Sequence, residues 1–248
     1  MAELAILFPR GQRPAATDVA ALLAGVGEAS ISLDPARAPG GGRVAGRDWL
    51  ELLMGGITFD LAGLAPGSAE GLPKAAHVFA LPPGTPERDL EAISLRPGPH
   101  LSIGGGILPL PVLRCLAALG ARLSLLSGAE AVAWAPARSW SGPAHFRDSV
   151  NGWLAGGVFP GFGLAALSPQ PGGAMVSEGL AAFTGQELRI SPALARDRVV
   201  GAKLGLRLLH WMVENGTLRA PRLLTGPEGE TLRLDLSRGG SVVEVWKA

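Results

Sequence analysis

A predicted hairpin that runs into one long helix, residues 176–216, constrains the fold of this chain more than any other stretch. Residues 176–183 (VSEGLAAF) and 186–190 (QELRI) are apolar runs of strand length, and the Thr-Gly pair between them suits a two-residue turn. Ser191 and the proline after it favour a helix start. Polar residues then recur at spacings of three, four and seven, so we predict one mostly buried helix that ends at Gly216.

The order of predicted elements around this stretch is that of a small α+β protein. Residues 129–236 read as β-α-β-β-α-β, and residues 3–126 can be read in the same way with long insertions. This order is ferredoxin-like. We therefore predict an α+β fold of two ferredoxin-like units, with antiparallel sheets and helices packed on one face. The two halves are residues 1–127 and 128–248.

Several shorter segments are assigned from local pattern alone. Residues 47–54 are predicted as a short helix and residues 122–126 as a strand. Residues 93–103 are predicted as an edge strand or loop, because two prolines interrupt them. The three glycines in residues 38–46 are not a phosphate-binding loop, because the Gly-Lys-Ser/Thr of that loop is absent.

Composition excludes several classes of protein. Only 17% of the 248 residues are charged and the net charge is +1, so the sequence gives no indication of a basic face that would bind nucleic acid. No apolar run reaches the length of about 18 residues that spans a bilayer, and the N-terminus lacks the basic start of a signal peptide. The single cysteine, Cys115, excludes an internal disulfide framework and a cysteine-based metal cluster. We predict a soluble, cytoplasmic protein without membrane contact.

Four segments, in order, resemble the bacterial family known as domain of unknown function 4261. They are residues 75–78 (AAHV), Ala131–Trp134 (AVAW), the hairpin 178–190 (EGLAAFTGQELRI) and residues 208–216 at the end of the long helix. The resemblance covers about residues 75–245, and this chain departs from the family pattern by carrying Thr-Gly in the hairpin turn. It implies a bacterial α+β domain with no assigned activity and no catalytic residues to carry over.

Two glutamates of the hairpin are the first candidates for a functional site. Paired carboxylates can act as general acid and base, and Glu178 and Glu187 lie near opposite ends of the hairpin. A two-residue turn would set Glu187 opposite Ala182 and Glu178 opposite Ser191, so the two carboxylates would lie far apart along the strands. The structural alternative is that Glu187 pairs with an arginine or with backbone N–H groups.

The four histidines give no metal motif. None of them forms an i, i+4 pair on a predicted helix, and we predict no metal site and no cofactor. The chain also lacks the Gly-x-Ser-x-Gly elbow of serine hydrolases. If the chain is an enzyme, its acid/base pocket would lie between the two halves and would combine Glu178 or Glu187 with His77 or His100.

Tryptophans are the candidate contact residues. Trp134 ends a predicted strand, and Trp140 lies in a predicted loop beside Arg138, where an exposed tryptophan would serve as an anchor for a partner protein or a flat ligand. The alternative is that Trp140 folds back over the core edge. Residues 156–163 (GGVFPGFG) are unusually apolar for a connection and could be buried or line an interface.

Our leading functional prediction is a non-catalytic interaction or ligand-binding module. It would associate with a second copy of itself or with a partner protein through a sheet edge or an apolar loop. The alternative is an enzyme of unknown reaction. A convergent cluster of acids and histidines around a deep pocket would favour the enzyme, and a large flat apolar patch near Trp140 and residues 159–162 would favour the interaction module.

Overall fold

The computed structural model describes residues 2–25, 27–36, 49–101 and 107–248. The segment 38–46, on which the sequence analysis placed a glycine-containing loop, falls outside these residues, as do the first two residues of the helix predicted at 47–54. Within the described stretches the α-helices are α1 (Ala16–Leu23), α2 (Leu110–Leu123), α3 (Pro143–Leu154), the single turn α4 (Ala181–Thr184) and α5 (Arg198–Asn215). None of them combines the length with the apolar character that a bilayer-crossing segment requires.

The first sheet has eight strands. They are β1 (Leu4–Pro9), β2 (Ala29–Leu33), β3 (Trp49–Met54), β4 (Ile57–Ala62), β5 (His77–Phe79), β6 (Leu90–Pro97), β7 (Ala131–Trp134) and β8 (Ser139–Ser141). Their order across the sheet is β2-β3-β4-β6-β1-β7-β8-β5. Neighbouring strands are antiparallel except β5 and β8, which are parallel. Helix α2 packs on β1, β4 and β6, and α3 packs on β7, so both helices cover the same face.

The second sheet has six strands. They are β9 (Ala166–Pro169), β10 (Met175–Glu178), β11 (Glu187–Ile190), β12 (Arg222–Thr225), β13 (Thr231–Leu236) and β14 (Val242–Lys247). Their order is β12-β13-β14-β11-β10-β9, and only β11 and β14 pair in parallel. Helix α5 packs on β10 and β11. The chain is therefore an α+β protein, as the sequence predicts.

The two ferredoxin-like units are not confirmed by this topology. Such a unit at 129–236 would place its first strand in the second sheet, whereas β7 pairs with β1 in the first. The change from one sheet to the other falls between Ser141 and Ala166, beyond the boundary that the sequence analysis set at residue 127. The physical reason is that β1 is an apolar strand inside the sheet. The backbone N–H and C=O groups on both of its edges must be hydrogen-bonded, and β7 supplies the partner on the second edge.

Three local predictions in the first half are wrong. The predicted helix at 47–54 is strand β3 from Trp49 onward, because β2 and β4 pair with it on both sides. The predicted edge or loop at 93–103 contains the interior strand β6, which ends at Pro97. The predicted strand at 122–126 is instead the end of α2 and the turn after it. In each case pairing or packing with distant segments overrides an ambiguous local pattern.

The hairpin exists, but its turn and register differ from the prediction. β10 and β11 pair with Met175 opposite Ile190 and Val176 opposite Arg189. The chain leaves the ladder after Glu178 and forms α4 instead of continuing as a strand. Gly179 makes this possible, because its φ is +92° and a Cβ there would lie 2.6 Å from the Cβ of Ala137.

The long helix begins later than predicted. Ser191 starts only a short turn, in which its carbonyl accepts from the N–H groups of the residues three and four positions on. Asp197 is the true N-cap of α5, and its carboxylate accepts from the N–H groups of Val199 and Val200 at 2.8 and 2.9 Å. The helix ends before Gly216, which has a positive φ of 73°, as predicted.

An aromatic cluster joins the two sheets. Trp134 of β7, Trp153 of α3, Phe159 of the apolar connection 156–163 and Phe183 of α4 are buried against one another, with ring centroids 4.9–6.2 Å apart. Three of the four contacts are edge-to-face, the geometry that aromatic rings prefer. Trp134 belongs to the first sheet, Trp153 to the helices on that sheet and Phe183 to the hairpin of the second sheet. The cluster therefore makes one continuous core.

We expect Phe183→Ala to destabilise the protein by about 3–5 kcal/mol, because it removes a ring that three other aromatic residues contact. Chemical denaturation followed by circular dichroism measures the loss. Phe162→Ala is the matched control: Phe162 is 39% exposed and Phe183 is 8% exposed, so the control should lose about 1 kcal/mol or less. Equal losses in the two variants would contradict a central role for the cluster.

Candidate functional site

The structure brings together two of the residues that the sequence analysis singled out, Glu178 and His77. The Nε2 atom of His77, on the edge strand β5, lies 2.9 Å from one carboxylate oxygen of Glu178, at the end of β10. Arg138 donates to the same carboxylate through Nε and, at 3.0 Å, through Nη2. The hydrogen bond from Arg138 lowers the pKa of Glu178, and the contact with His77 acts in the same direction. A carboxylate held this way is a weak base, and its visible role is to tie the second sheet to the first.

The carboxylate of Glu187 accepts hydrogen bonds from the backbone of the hairpin. It accepts from the N–H groups of Gly179 at 2.9 Å and Ala181 at 3.1 Å, and from the hydroxyl of Ser177. This is the structural alternative that the sequence left open, in which Glu187 pairs with backbone N–H groups. The carboxylate satisfies the N–H groups that the chain exposes where it leaves the strand for α4.

The two tryptophans named from the sequence are both buried. Trp134 belongs to the aromatic cluster, and Trp140 lies in strand β8 with its Nε1 donating to the carbonyl of Pro73 at 3.1 Å. Trp140 therefore takes the alternative that the sequence left open, in which it folds back over the core edge, and it is not an exposed anchor, because the segment after β4 covers it. Phe159 is buried as well, so the flat apolar patch expected near these residues is not formed by Trp140 and Phe159.

A different site is built on the face of the first sheet that the helices do not cover. One row of paired residues runs across six strands of this face: Trp49, Ala62, Ser94, Ala5, Ala133 and Trp140. The row has a large ring at each end and small side chains between. The small side chains of Ala62 and Ser94 leave room beside Trp49, whereas Ala5, Ala133 and Trp140 at the other end of the row are buried.

The next row of the same face carries charges. Glu51 is paired with Asp60, and Asp60 is paired with Arg96, on β3, β4 and β6. The guanidinium of Arg96 donates to Glu3 at 2.9 Å and to Glu70 at 2.8 Å. Two carboxylates bind Arg96, and those of Asp60 and Glu51 follow on the next two strands, which leaves this part of the surface acidic.

The two rows meet in a pocket of about 420 Å³. Its lining residues are Trp49, Asp60, Ala62, Gly63, Ser68, Glu70, Ser94 and Arg96. Two of the polar groups have no hydrogen-bond partner among the described residues: the carboxylate of Asp60 and the hydroxyl of Ser94, a residue that is 1% exposed. Buried polar groups are normally hydrogen-bonded, so the buried Ser94 hydroxyl, beside the half-buried carboxylate of Asp60, points to a bound polar molecule.

Asp60 has an unusual electrostatic setting. Burial raises the pKa of Asp60, and the neighbouring Glu51 carboxylate raises it further, while His100 and Arg96 oppose this effect. His100, another residue named from the sequence, therefore contributes to this site by its charge and not to the contact between His77 and Glu178. A carboxyl with a raised pKa in a pocket is a common sign of a functional site.

The roof of the pocket is held by one arginine. Arg13 pairs with Glu91 at 2.8 Å and also donates to the carbonyls of Gly63 and Gly67, at 2.8 Å in the case of Gly67. The N–H of Glu70 donates to the carbonyl of Ala92 at 3.0 Å, which fastens the other end of this loop to β6. The loop that carries Ser68 is thus a fixed part of the structure and encloses one side of the pocket.

Chemically, the site can accept hydrogen bonds and stabilise positive charge. Asp60 and Glu70 supply acceptors, and Trp49 supplies a flat ring that can contact a cation or an apolar face. Within the described stretches, no group of three or more His, Cys, Asp or Glu side chains is arranged to hold a metal ion.

The sequence analysis missed Asp60 and Arg96 as site residues. A usable signal is present in β4 (ITFDLA), where large apolar residues alternate with Thr58, Asp60 and Ala62 and so place the aspartate on a half-open face. The alternation does not predict the pairing of β4 with β6. In the chain, 27 residues, which include β5 and the covering loops, separate Ala62 from Leu90.

We expect Glu178→Gln to lower stability most at neutral pH. The pKa of Glu178 is lower in the folded state than its ordinary value, so its contribution is fully present above the ordinary value and is lost as the pH falls through the lowered one. Urea unfolding of the variant and the parent at a series of pH values between 7 and about 3 measures this. A difference that does not shrink toward acid pH would show that the charge of Glu178 is not the stabilising feature.

We expect Asp60→Asn to raise the stability of the ligand-free protein at neutral pH. The pKa of Asp60 is raised by folding, so the ionised form opposes folding, and the cost is absent below the ordinary pKa and grows as the pH rises through the raised one. The midpoint of thermal unfolding at pH 7 should increase in the variant, and the increase should vanish near pH 3. A lower midpoint at pH 7 would mean that Asp60 supports the fold instead of a site.

Comparison with known proteins yields no relative from which a function could be transferred. The chain matches no protein-family model, no curated protein and no solved structure. Its resemblance to domain of unknown function 4261 stays a prediction from the sequence, and its function has to be argued from the geometry of its own sites.

Proposed function

We propose that this protein is a non-catalytic ligand-binding module, and that its pocket on the helix-free face of the first sheet takes a small organic cation. The observation that carries this proposal is the meeting of two unpartnered polar groups, the Asp60 carboxylate and the Ser94 hydroxyl, beside Trp49 in one pocket. A ligand with a positively charged nitrogen and a hydroxyl or second donor would satisfy both groups.

Charge supports a cation over an anion. The lining contains the carboxyls of Asp60 and Glu70 and the guanidinium of Arg96, and Glu3 and Glu51 add two further negative charges just outside. Arg96 is already bound by two carboxylates, so it has little capacity left to bind an anionic ligand. Positively charged nitrogen over a tryptophan ring gains about 0.5–2 kcal/mol from the ring electrons.

The enzyme alternative has less support. It requires a base between the two halves, and Glu178 does meet His77 there. Two hydrogen bonds from Arg138 hold that carboxylate in its ionised form, and a lowered pKa makes it a poorer proton acceptor. Self-association stays a prediction from the sequence.

Isothermal titration calorimetry with choline, putrescine and agmatine tests the proposal. We expect at least one of them to bind, and we expect Asp60→Asn to weaken that binding about tenfold or more, which is the loss typical of one charged hydrogen bond. Binding should also tighten as the pH rises through the pKa of Asp60, because the ionised carboxylate is the form that attracts a cation.

Two controls make this experiment specific. Asp148→Asn makes the same chemical change on the exposed side of α3, far from the pocket, and should bind the cation as the parent does. The uncharged analogue of choline, in which a tert-butyl group replaces the trimethylammonium group, should bind much more weakly than choline. Absence of binding by all three cations, or equal binding by Asp60→Asn and the parent, would refute the proposal.

A further inference from the structure

A second, larger cavity lies at one end of the second sheet. Its volume is about 750 Å³, within the range of cavities that hold nucleotide-sized ligands. The lining residues are Pro169, Gly173, Ser191, Pro192, Ala193, Ala195, Arg196, Arg198, Trp246 and Lys247. None of them belongs to the acidic pocket of the first sheet, so this inference is independent of the function proposed above.

The parallel pairing of β11 and β14 explains why these residues converge. Parallel strands end at the same edge of a sheet, and Ile190 of β11 is paired with Val245 of β14. The chain therefore leaves β11 beside Trp246 and Lys247. The short turn that follows β11 leads directly into α5, so the start of α5 also lies at this edge.

The first turn of α5 is packed against the segment that precedes it. A Cβ on Gly201 would lie 3.0 Å from the Cα of Ala195, closer than nearly all real contacts, so only glycine allows this approach. The close packing holds the segment that carries Arg196 against the helix that begins with Arg198. Both arginines are therefore presented from a fixed backbone.

Three positive charges line the cavity without a partner. Arg196, Arg198 and Lys247 are exposed, and none of them forms an ion pair or a side-chain hydrogen bond within the described residues. Asp197, which lies between the two arginines in the sequence, directs its carboxylate to the N–H groups of α5. Unpaired cations that share one cavity repel each other, and a bound anion would relieve that repulsion.

Two further groups indicate what the anion is attached to. Trp246 is 43% exposed although it is a large ring, and an exposed tryptophan in a cavity offers a surface on which a flat ring can stack. Ser191 is 6% exposed, and its hydroxyl has no hydrogen-bond partner in the part of the chain that the structure describes, while its N–H donates to the carbonyl of Val245 at 3.0 Å. The hydroxyl is thus a positioned and unsatisfied polar group.

We propose that this cavity binds a small molecule that carries a phosphate monoester on a flat aromatic group, as mononucleotides do. Arg196, Arg198 and Lys247 hold the phosphate, the Ser191 hydroxyl donates to it or to the adjoining sugar, and the ring stacks on Trp246. The N-cap carboxylate of Asp197 occupies the first N–H groups of α5, so the arginine side chains and not the helix backbone bind the phosphate.

Calorimetric titration with a panel of aromatic phosphates tests this proposal. The probes are the 5′-monophosphates of adenosine, guanosine and cytidine and flavin mononucleotide, each beside its uncharged parent compound, and inorganic phosphate alone. We expect at least one of the phosphates to bind with a Kd below about 1 mM, and at least about tenfold tighter than both its parent compound and inorganic phosphate. The binding should weaken with increasing salt concentration.

Variants assign the binding to the cavity. Arg196→Gln/Arg198→Gln should weaken binding about tenfold or more, since each arginine supplies a charged hydrogen bond, and Trp246→Leu should weaken it while leaving the salt dependence unchanged. The matched control is Arg219→Gln/Arg222→Gln, which removes two exposed arginines outside the cavity and should leave the Kd unchanged.

Three outcomes would overturn the proposal. The first is that none of the aromatic phosphates binds. The second is that inorganic phosphate binds as tightly as the best of them, which would remove the role of Trp246. The third is that the control double variant loses as much affinity as Arg196→Gln/Arg198→Gln, which would show attraction by overall charge instead of a defined site.

Discussion

The contact on which the rest of this structure depends is the aromatic cluster between the two sheets. Neither sheet supplies a complete core: the first contributes Trp134 and the second contributes Phe183 from the turn of its hairpin. Trp153 and Phe159 fill the space between them. Three of the four contacts are edge to face and the direct contact between Trp134 and Phe183 is tilted, so the relative orientation of the rings is defined as well as their burial. The ion pairs of Glu178 with His77 and Arg138 add polar contacts between the same two sheets.

The two faces of the first sheet carry different side chains, and this difference creates the acidic pocket. Large residues such as Leu4, Ile6 and Ile93 lie under α2, whereas the other side carries many alanine, serine and charged residues, with Leu7, Leu90 and Trp140 buried among the alanines. A face of small side chains cannot exclude solvent by itself, so a loop covers part of it and leaves a cavity beside Trp49. The second sheet obtains its cavity in another way, from strand ends and the start of a helix.

Much of the fold is readable from the sequence, and the remainder depends on contacts between distant segments. Strands with clear alternation or strong apolar character, such as β4, β13 and β14, and the helices α2, α3 and α5 follow from local pattern. The register of the hairpin does not, because it is decided by Gly179 meeting Ala137 and by Glu187 binding backbone N–H groups. The sites are harder still. The sequence analysis named His77 and Glu178 but did not predict their contact. It missed Asp60 and Arg96, whose pairing joins strands that are not neighbours in the chain.

Arg13 has a consequence for how the acidic pocket binds. The loop above the pocket is fastened at one end by the guanidinium of Arg13, through two carbonyls, and at the other by Glu70, whose N–H donates to Ala92 and whose carboxylate accepts from Arg96. Leu64 of the same loop is buried in the core, so apolar packing holds the loop as well as polar contacts. Arg13 touches no ligand in the proposed site, yet by holding the loop in place it spares a bound molecule the entropy cost of ordering that loop.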